Sequence, residues 1–275
     1  LPMDYKIPEQ MREQYVGFSE TCREKNIEFS WEEYKQMIDT HNAVVGTGLT
    51  CRNIKGTVYR NLRGKCKELG VTVNSALTTA MVAALQKKDK VDAIISVDTR
   101  AVFNHEDKKG LANYASCIQP TLEYDNTLGF WENVIIADAK IKAERFNKAK
   151  VFNKLYTFML WGADDFGVGY YARYGLFKDM EVLMELRKTL GLNSDADTFD
   201  ISNIGNVEYA ANSEDFVVRD CYFVPNLMPA TACTFGVVSL GNVITLSLLH
   251  KQNLVSNEQA KAILHEVVSL LVRSM

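Results

Sequence analysis

Residues 70–120, GVTVNSALTTAMVAALQKKDKVDAIISVDTRAVFNHEDKKGLANYASCIQP, decide the fold. Val73, Leu77, Ala80, Met81, Ala84 and Leu85 recur at helical spacing behind Thr72, whose hydroxyl suits an N-cap, so the first part predicts a buried amphipathic helix. The charged break KKDK ends it. The β-branched run Ala93-Ile94-Ile95-Ser96-Val97 then predicts an interior strand. That strand delivers Asp98 and Arg100 at its C-terminal end, where open α/β sheets place their chemistry. One further strand is expected over about Ala115 to Leu122.

Upstream, helices are expected from Glu9 to Lys25 and from Trp31 to Thr40, the second announced by Ser30 with Glu33 three residues on, a capping-box pattern. Leu49 to Ile54 predicts a short strand, and Thr57 to Leu69 a helix stopped by Gly70. Downstream, Thr127 to Lys148 predicts a long helix with Phe130, Trp131, Val134 and Ile141 on its apolar face. Helices are also expected over Phe152 to Leu160 and Leu176 to Leu190, with a glycine-rich loop at 162–175 between them. The last third predicts strands at Phe199 to Ile204, Phe216 to Val224, Ala232 to Leu240 and Val243 to Leu249, the last two joined by a Gly241-Asn242 hairpin turn. Ser256 with Gln259 caps a final helix to about Val272.

Composition narrows the function classes. The chain has 275 residues, 47% hydrophobic and 24% charged, with a net charge of −3, enough for a sizeable core in one large or two small domains. Basic residues are scattered among acidic ones, which argues against a nucleic-acid partner. The six cysteines stand far apart, with no C-x-x-C pair and no histidine at metal-ligand spacing. They predict reduced core thiols in a cytoplasmic protein and no metal site. No apolar run reaches the length of a membrane span and no signal peptide is visible. The start LPMDYK leaves open that something upstream has been removed.

The order of GVTVN, an apolar helix, a strand ending in VDTR, a polar loop and LANYASC, followed by Ile201-Ser202-Asn203-Ile204-Gly205, resembles the second half of the CoA-dependent acyltransferase superfamily. That superfamily includes chloramphenicol acetyltransferase, peptide-synthetase condensation domains and alcohol O-acetyltransferases. The resemblance covers roughly Leu49 to Leu271. It implies an α/β fold, a mixed β-sheet packed with helices like one chloramphenicol-acetyltransferase lobe. Residues 1–45 would then form a helical inter-lobe crossover and residues 46–275 the C-terminal lobe.

The resemblance also implies a chemistry. A histidine from an H-H-x-x-x-D-G motif acts as general base on an acceptor hydroxyl or amine, which attacks an acyl thioester. This chain has only His41, His105, His250 and His265, and none is followed by Asp at the fourth position. His250 ends a strand before a helix, as a catalytic histidine of the family does, but Leu254 stands where the aspartate belongs. His105, in a polar loop, is expected to be solvated. No complete catalytic set is therefore expected here. The N-terminal lobe, on the same or a separate chain, would be the partner, with acyl-CoA or a carrier thioester as co-substrate, a small-molecule acceptor and no resident cofactor.

Arg100, by the same resemblance, pairs with the motif aspartate of the missing lobe; the bland alternative is a local pair with Asp98 or Glu106. Ser202, Asn203 and Gly205 are expected to line the substrate tunnel, against the alternative that they simply close a strand. Two mimics are set aside. Asp165-Phe166-Gly167 lacks the companions of a kinase site, and Gly46-Thr47-Gly48 is too short for a dinucleotide fingerprint. Two further functions stay open: a non-catalytic binding or assembly module of the same fold, and a self-contained acetyltransferase using His250.

Overall fold

The computed structural model describes residues 8–25, 29–85, 90–100, 114–152, 154–155, 157, 171, 181–189, 198–207, 217–227 and 231–275. Its organiser is a mixed seven-stranded sheet. The strands are β1 (Thr47–Lys55), β2 (Val91–Asp98), β3 (Ala115–Ile118), β4 (Thr121–Leu122), β5 (Thr198–Asn206), β6 (Cys233–Leu240) and β7 (Val243–Lys251). They run in the order β1-β7-β6-β5-β2-β3, with β4 also on β2. β5 pairs in parallel with both β2 and β6, and the remaining pairs are antiparallel.

The helices are α1 (Glu9–Glu24), α2 (Trp31–Val45), α3 (Gly56–Leu69), α4 (Val73–Leu85), α5 (Phe130–Arg145), α6 (Glu181–Thr189) and α7 (Asn257–Arg273). Local chemistry sets their starts. Ser30 and Ser256 each close a capping box on α2 and α7. Thr72 Oγ1 accepts from the Ser75 backbone N–H at 3.0 Å, which confirms it as the N-cap of α4. Gly70 takes the left-handed conformation (φ 67°) that ends α3.

Strand alternation divides the sheet into two unlike faces. On one, Phe199, Ile201, Phe235, Val237, Leu246 and Leu248 join Leu62, Leu77, Met81, Val134 and Leu264 in a single hydrophobic core under α3, α4, α5 and α7. Phe199 and Phe235 meet edge-on, with centroids 5.8 Å apart. The central strands turn Asp200, Ser202, Thr234, Gly236, Thr245 and Ser247 to the other face, and the register places Asp200 beside Thr234 and Ser202 beside Gly236. Ile94, Val238 and Leu249 stand among these polar residues, and the face is largely buried, with Ser202 half-buried.

Two expectations change. The strand expected over Ala115 to Leu122 is two strands in one register along β2, divided at Gln119-Pro120. Pro120 accepts from the Ala93 N–H at 3.1 Å but has no N–H to return. The strand expected over Phe216 to Val224 is reduced, in its described part at residues 217–224, to an isolated β-bridge at Val217. Both edges of β6 are already occupied, by β5 and β7, so the segment crosses the polar face as a strap instead. The Phe223 carbonyl takes the Ser247 hydroxyl at 2.5 Å, and Gly236 lies so close beneath Phe223 and Pro225 that a Cβ would overlap them.

α5 is shorter than expected because Asp125 holds Thr127 in a turn, accepting from its N–H at 2.8 Å and its hydroxyl at 2.7 Å, before the helix begins. Trp131, on α5, donates its indole N–H to the Ser274 carbonyl at 2.7 Å, tying α5 to the end of α7. The expected loop at 162–175, apart from Tyr171, lies outside the described residues, as do most of the helix expected over Phe152 to Leu160 and the first part of Leu176 to Leu190. No single helix among the described residues is long and apolar enough to cross a membrane.

Candidate functional site

Asn203 sits where β5 bulges. Its Nδ2 donates to Asn74 Oδ1 at 3.0 Å, and its Oδ1 accepts the Gly205 N–H at 2.9 Å. The asparagine of the VTVN helix start and the asparagine of the SNIG strand are therefore partners. Gly205 has φ 76°, with open space where a side chain would stand. Ser202 faces the polar side of the sheet, and its hydroxyl makes no hydrogen bond among the described residues. Of the three expected tunnel residues, Asn203 braces the bulge of β5, Gly205 supplies its positive-φ position, and Ser202 is left with its hydroxyl uncommitted.

The VTVN turn is held from beneath as well. Asp138 Oδ1 on α5 accepts from the Thr72 N–H at 3.0 Å and the Ser75 hydroxyl at 2.7 Å, while Oδ2 pairs with Lys142 at 2.6 Å. Burial pushes this carboxyl up, but Lys142, Ser75 and Thr72 together outweigh it and hold it below the usual carboxylate range. Lys142 also reaches the Gly70 carbonyl at 3.1 Å. Asp138 was not singled out from sequence; an acid one turn past Val134 on the predicted apolar face was the available signal.

Arg100 sits just past β2, where it was expected. Its guanidinium forks onto Asp98, with Nε 3.0 Å from Oδ2 and an Nη 2.7 Å away, and lies 5.1 Å over the Tyr114 ring. The local pair with Asp98 is thus formed, at a partly exposed site. The Arg100 hydrogen bonds hold Asp98 below the usual carboxylate range.

His250 is fully buried on the helical face. Nδ1 lies 2.8 Å from the Val255 carbonyl, and the ring covers Gly48 so closely that no side chain fits there. The remaining nitrogen, Nε2, meets no hydrogen-bond partner among the described residues. Burial lowers the pKa. A base sealed in this way reaches no acceptor proton. The Gly46-Thr47-Gly48 triplet is accounted for by this packing and by the end of α2, where Gly46 has φ 61°. His105 and the Asp165–Gly169 stretch lie outside the described residues.

A cavity of about 360 Å³ opens where the β3–β4 edge meets the end of α5. Its charged groups have partners: Lys150 pairs with Glu144, the Thr121 hydroxyl donates to Asp92 at 2.7 Å, and Lys154 donates to Gln119 at 3.2 Å. Cys117, on its wall, has its pKa raised by burial. No cluster of metal-ligating side chains occurs among the described residues. The sequence reading missed Asp200, which is buried in the centre of the polar face with its pKa raised by burial to about 7.

No protein-family model and no curated protein sequence matches this chain. Solved structures do. The condensation domain of the monacolin K polyketide synthase MokA superposes with a TM-score of 0.56 at 12% identity, over 82% of this chain and 46% of that one. The fold is that of one lobe of a condensation domain. The PapA2 acyl transferase matches over 98% of this chain and 57% of its own, with a TM-score of 0.53 at 11% identity. The nonribosomal peptide synthetase FmoA3 matches over 89% of this chain and 25% of its own, with a TM-score of 0.55 at 12% identity. The chain thus spans about half the length, or less, of the condensation-domain and acyl-transferase structures it matches. The mixed sheet packed with helices is the α/β fold that the resemblance over Leu49 to Leu271 implied.

Proposed function

We propose that this chain is the C-terminal lobe of an acyltransferase that moves an acyl group, an acetyl group in the simplest case, from CoA or a carrier thioester to an alcohol or amine. The observation that carries this reading is the two-faced sheet: an apolar face closed by helices, and a second face, crossed in part by the 217–227 strap, where Ser202 keeps an uncommitted hydroxyl beside Asp200. A sheet needs only one apolar face for stability, so a second face that carries an uncommitted serine hydroxyl suits the floor of a ligand channel.

In this reading the base comes from an H-H-x-x-x-D-G motif on an N-terminal lobe outside residues 1–275. Helices α1 and α2 lead across from that lobe, and Arg100 turns from Asp98 to its motif aspartate. Ser202 positions the acceptor or the thioester arm, and Gly205 leaves the backbone open to it. The site of action is the cytoplasm. The sealed position of His250 argues against a self-contained enzyme. A non-catalytic assembly module of the same fold is separated by one assay: thiol release from acetyl-CoA with a panel of alcohols and amines. The acyltransferase reading expects no turnover from this chain alone and turnover once the upstream lobe is added. No turnover from the reassembled pair, with that lobe's motif intact, would favour the module.

A further inference from the structure

The centre of the polar face holds two atoms that the fold itself does not use. Asp200 is 6% exposed. Oδ1 of its carboxyl has no hydrogen-bond partner among the described residues. Thr234, its register partner on β6, is fully buried, and its Oγ1 also has no partner among the described residues. Buried polar atoms in native folds are almost always hydrogen-bonded, so an orphan needs an explanation. Here two orphans of complementary type occupy neighbouring positions on one face, next along it to Ser202 and Gly236. Nothing in the packing of α3, α4, α5 or α7 calls for them, because those helices lie on the opposite face.

We propose that Asp200 and Thr234 form a binding subsite for a hydroxyl group of an uncharged small molecule, with the carboxyl and the Thr234 hydroxyl on either side of it. A ligand hydroxyl both donates and accepts, which matches a carboxyl and a hydroxyl side by side. An ammonium ligand fits less well. It would require an ionised carboxylate at a place where burial disfavours one, and the desolvation of two charges at once. The surrounding face agrees: Ser202, Gly236, Thr245 and Ser247 carry no charge. Lys154, whose field reaches Cys117 on the same sheet, already donates to Gln119. In the acyl-transfer reading the ligand is the acceptor alcohol. The proposal rests on that reading for the ligand's role, not for its binding.

The test is titration of the chain, ¹³C-labelled at aspartate carboxyls, with n-butanol and separately with n-butylamine, following the Asp200 resonance. The expected result is a saturable shift with n-butanol, weakened about tenfold in Thr234→Val and kept in Thr234→Ser. The Thr234→Ser variant keeps the test decisive if Thr234→Val does not fold. No saturable shift with n-butanol, a response to n-butylamine alone, or a shift unchanged in Thr234→Val overturns the subsite. Alcohol binding without acyl transfer by the reassembled protein supports the subsite and removes the acyltransferase reading. Acyl transfer to alcohols without this binding removes the subsite alone.

Discussion

Asn203 donates through Nδ2 to Asn74 Oδ1 across 3.0 Å, joining the bulged end of β5 to the first turn of α4. The two positions are 129 residues apart in the chain, and each belongs to a motif named from sequence for chemistry. Their first duty is architectural. Asn74→Ala and Asn203→Ala are each expected to cost about 1–2 kcal/mol, and the double variant less than the sum, by a coupling of about 1 kcal/mol. Urea unfolding of the four proteins measures this, and strictly additive losses would show that the contact carries no energy.

Ser202 and Gly205 should behave differently from Asn203. Ser202→Ala is expected to leave stability within about 0.5 kcal/mol of wild type, since its hydroxyl makes no hydrogen bond among the described residues. Gly205→Ala should cost about 1 kcal/mol through its φ of 76° alone, despite the open space beside it. An activity loss in Gly205→Ala therefore has to be compared with its melting temperature before it is attributed to a blocked channel.

Asp138 should be the most sensitive acid in the fold. Asp138→Ala leaves the Thr72 N–H and Ser75 hydroxyl without their acceptor, and about 3 kcal/mol of stability should be lost. Because its folded pKa is depressed, its contribution is complete above the ordinary carboxylate pKa and disappears as pH falls through the lower folded value. Acid titrations of stability should therefore be shallower in Asp138→Asn than in wild type.

Asp200 and His250 should tilt the pH profile in opposite senses. The raised pKa of Asp200 means that its contribution is complete below the ordinary value of 3.8 and is lost as pH rises toward about 7, an effect on the order of a few kcal/mol. Asp200→Asn should flatten that limb. His250, with a depressed pKa, stabilises above the ordinary 6.5, and its contribution is lost as pH falls below that value. Melting temperatures across roughly pH 4 to 8 test both, and an unchanged slope in Asp200→Asn would show that the carboxyl is not desolvated.

Arg100 and Asp98 form a half-exposed pair, and such pairs contribute about 0–1 kcal/mol. Arg100→Ala should barely move the melting temperature of this chain. If the proposed inter-lobe role holds, the same change should lower turnover of the two-lobe protein severalfold or more, and equal turnover would remove Arg100 from that role.

Much of this was legible in sequence because period and capping are local. The helix behind Thr72, the strand ending at Asp98, the Gly241-Asn242 hairpin and the Ser256 cap all follow from a few neighbouring residues. The strap at 217–227 was not legible, because Val217-Val218 and Tyr222-Phe223-Val224 have the composition of a strand. Only the full sheet order shows that β6 has no edge left to offer them. Asp200 was visible in principle: Phe199-Asp200-Ile201-Ser202 alternates apolar and polar, which places Asp200 and Ser202 on one face. That this face is buried is a tertiary fact. His250 became interpretable only once its ring was found over Gly48.

The bond from Trp131 to the Ser274 carbonyl makes the molecule its own optical gauge. An indole whose N–H is held by a carbonyl, with Phe130 edge-on at 5.2 Å, sits in an environment that changes as soon as the last turn of α7 lifts away. Emission from Trp131, isolated by replacing the other two tryptophans, Trp31 and Trp161, with phenylalanine, would report fraying of that helix before the sheet loosens. It would separate a local release at one end of the core from loss of the whole lobe.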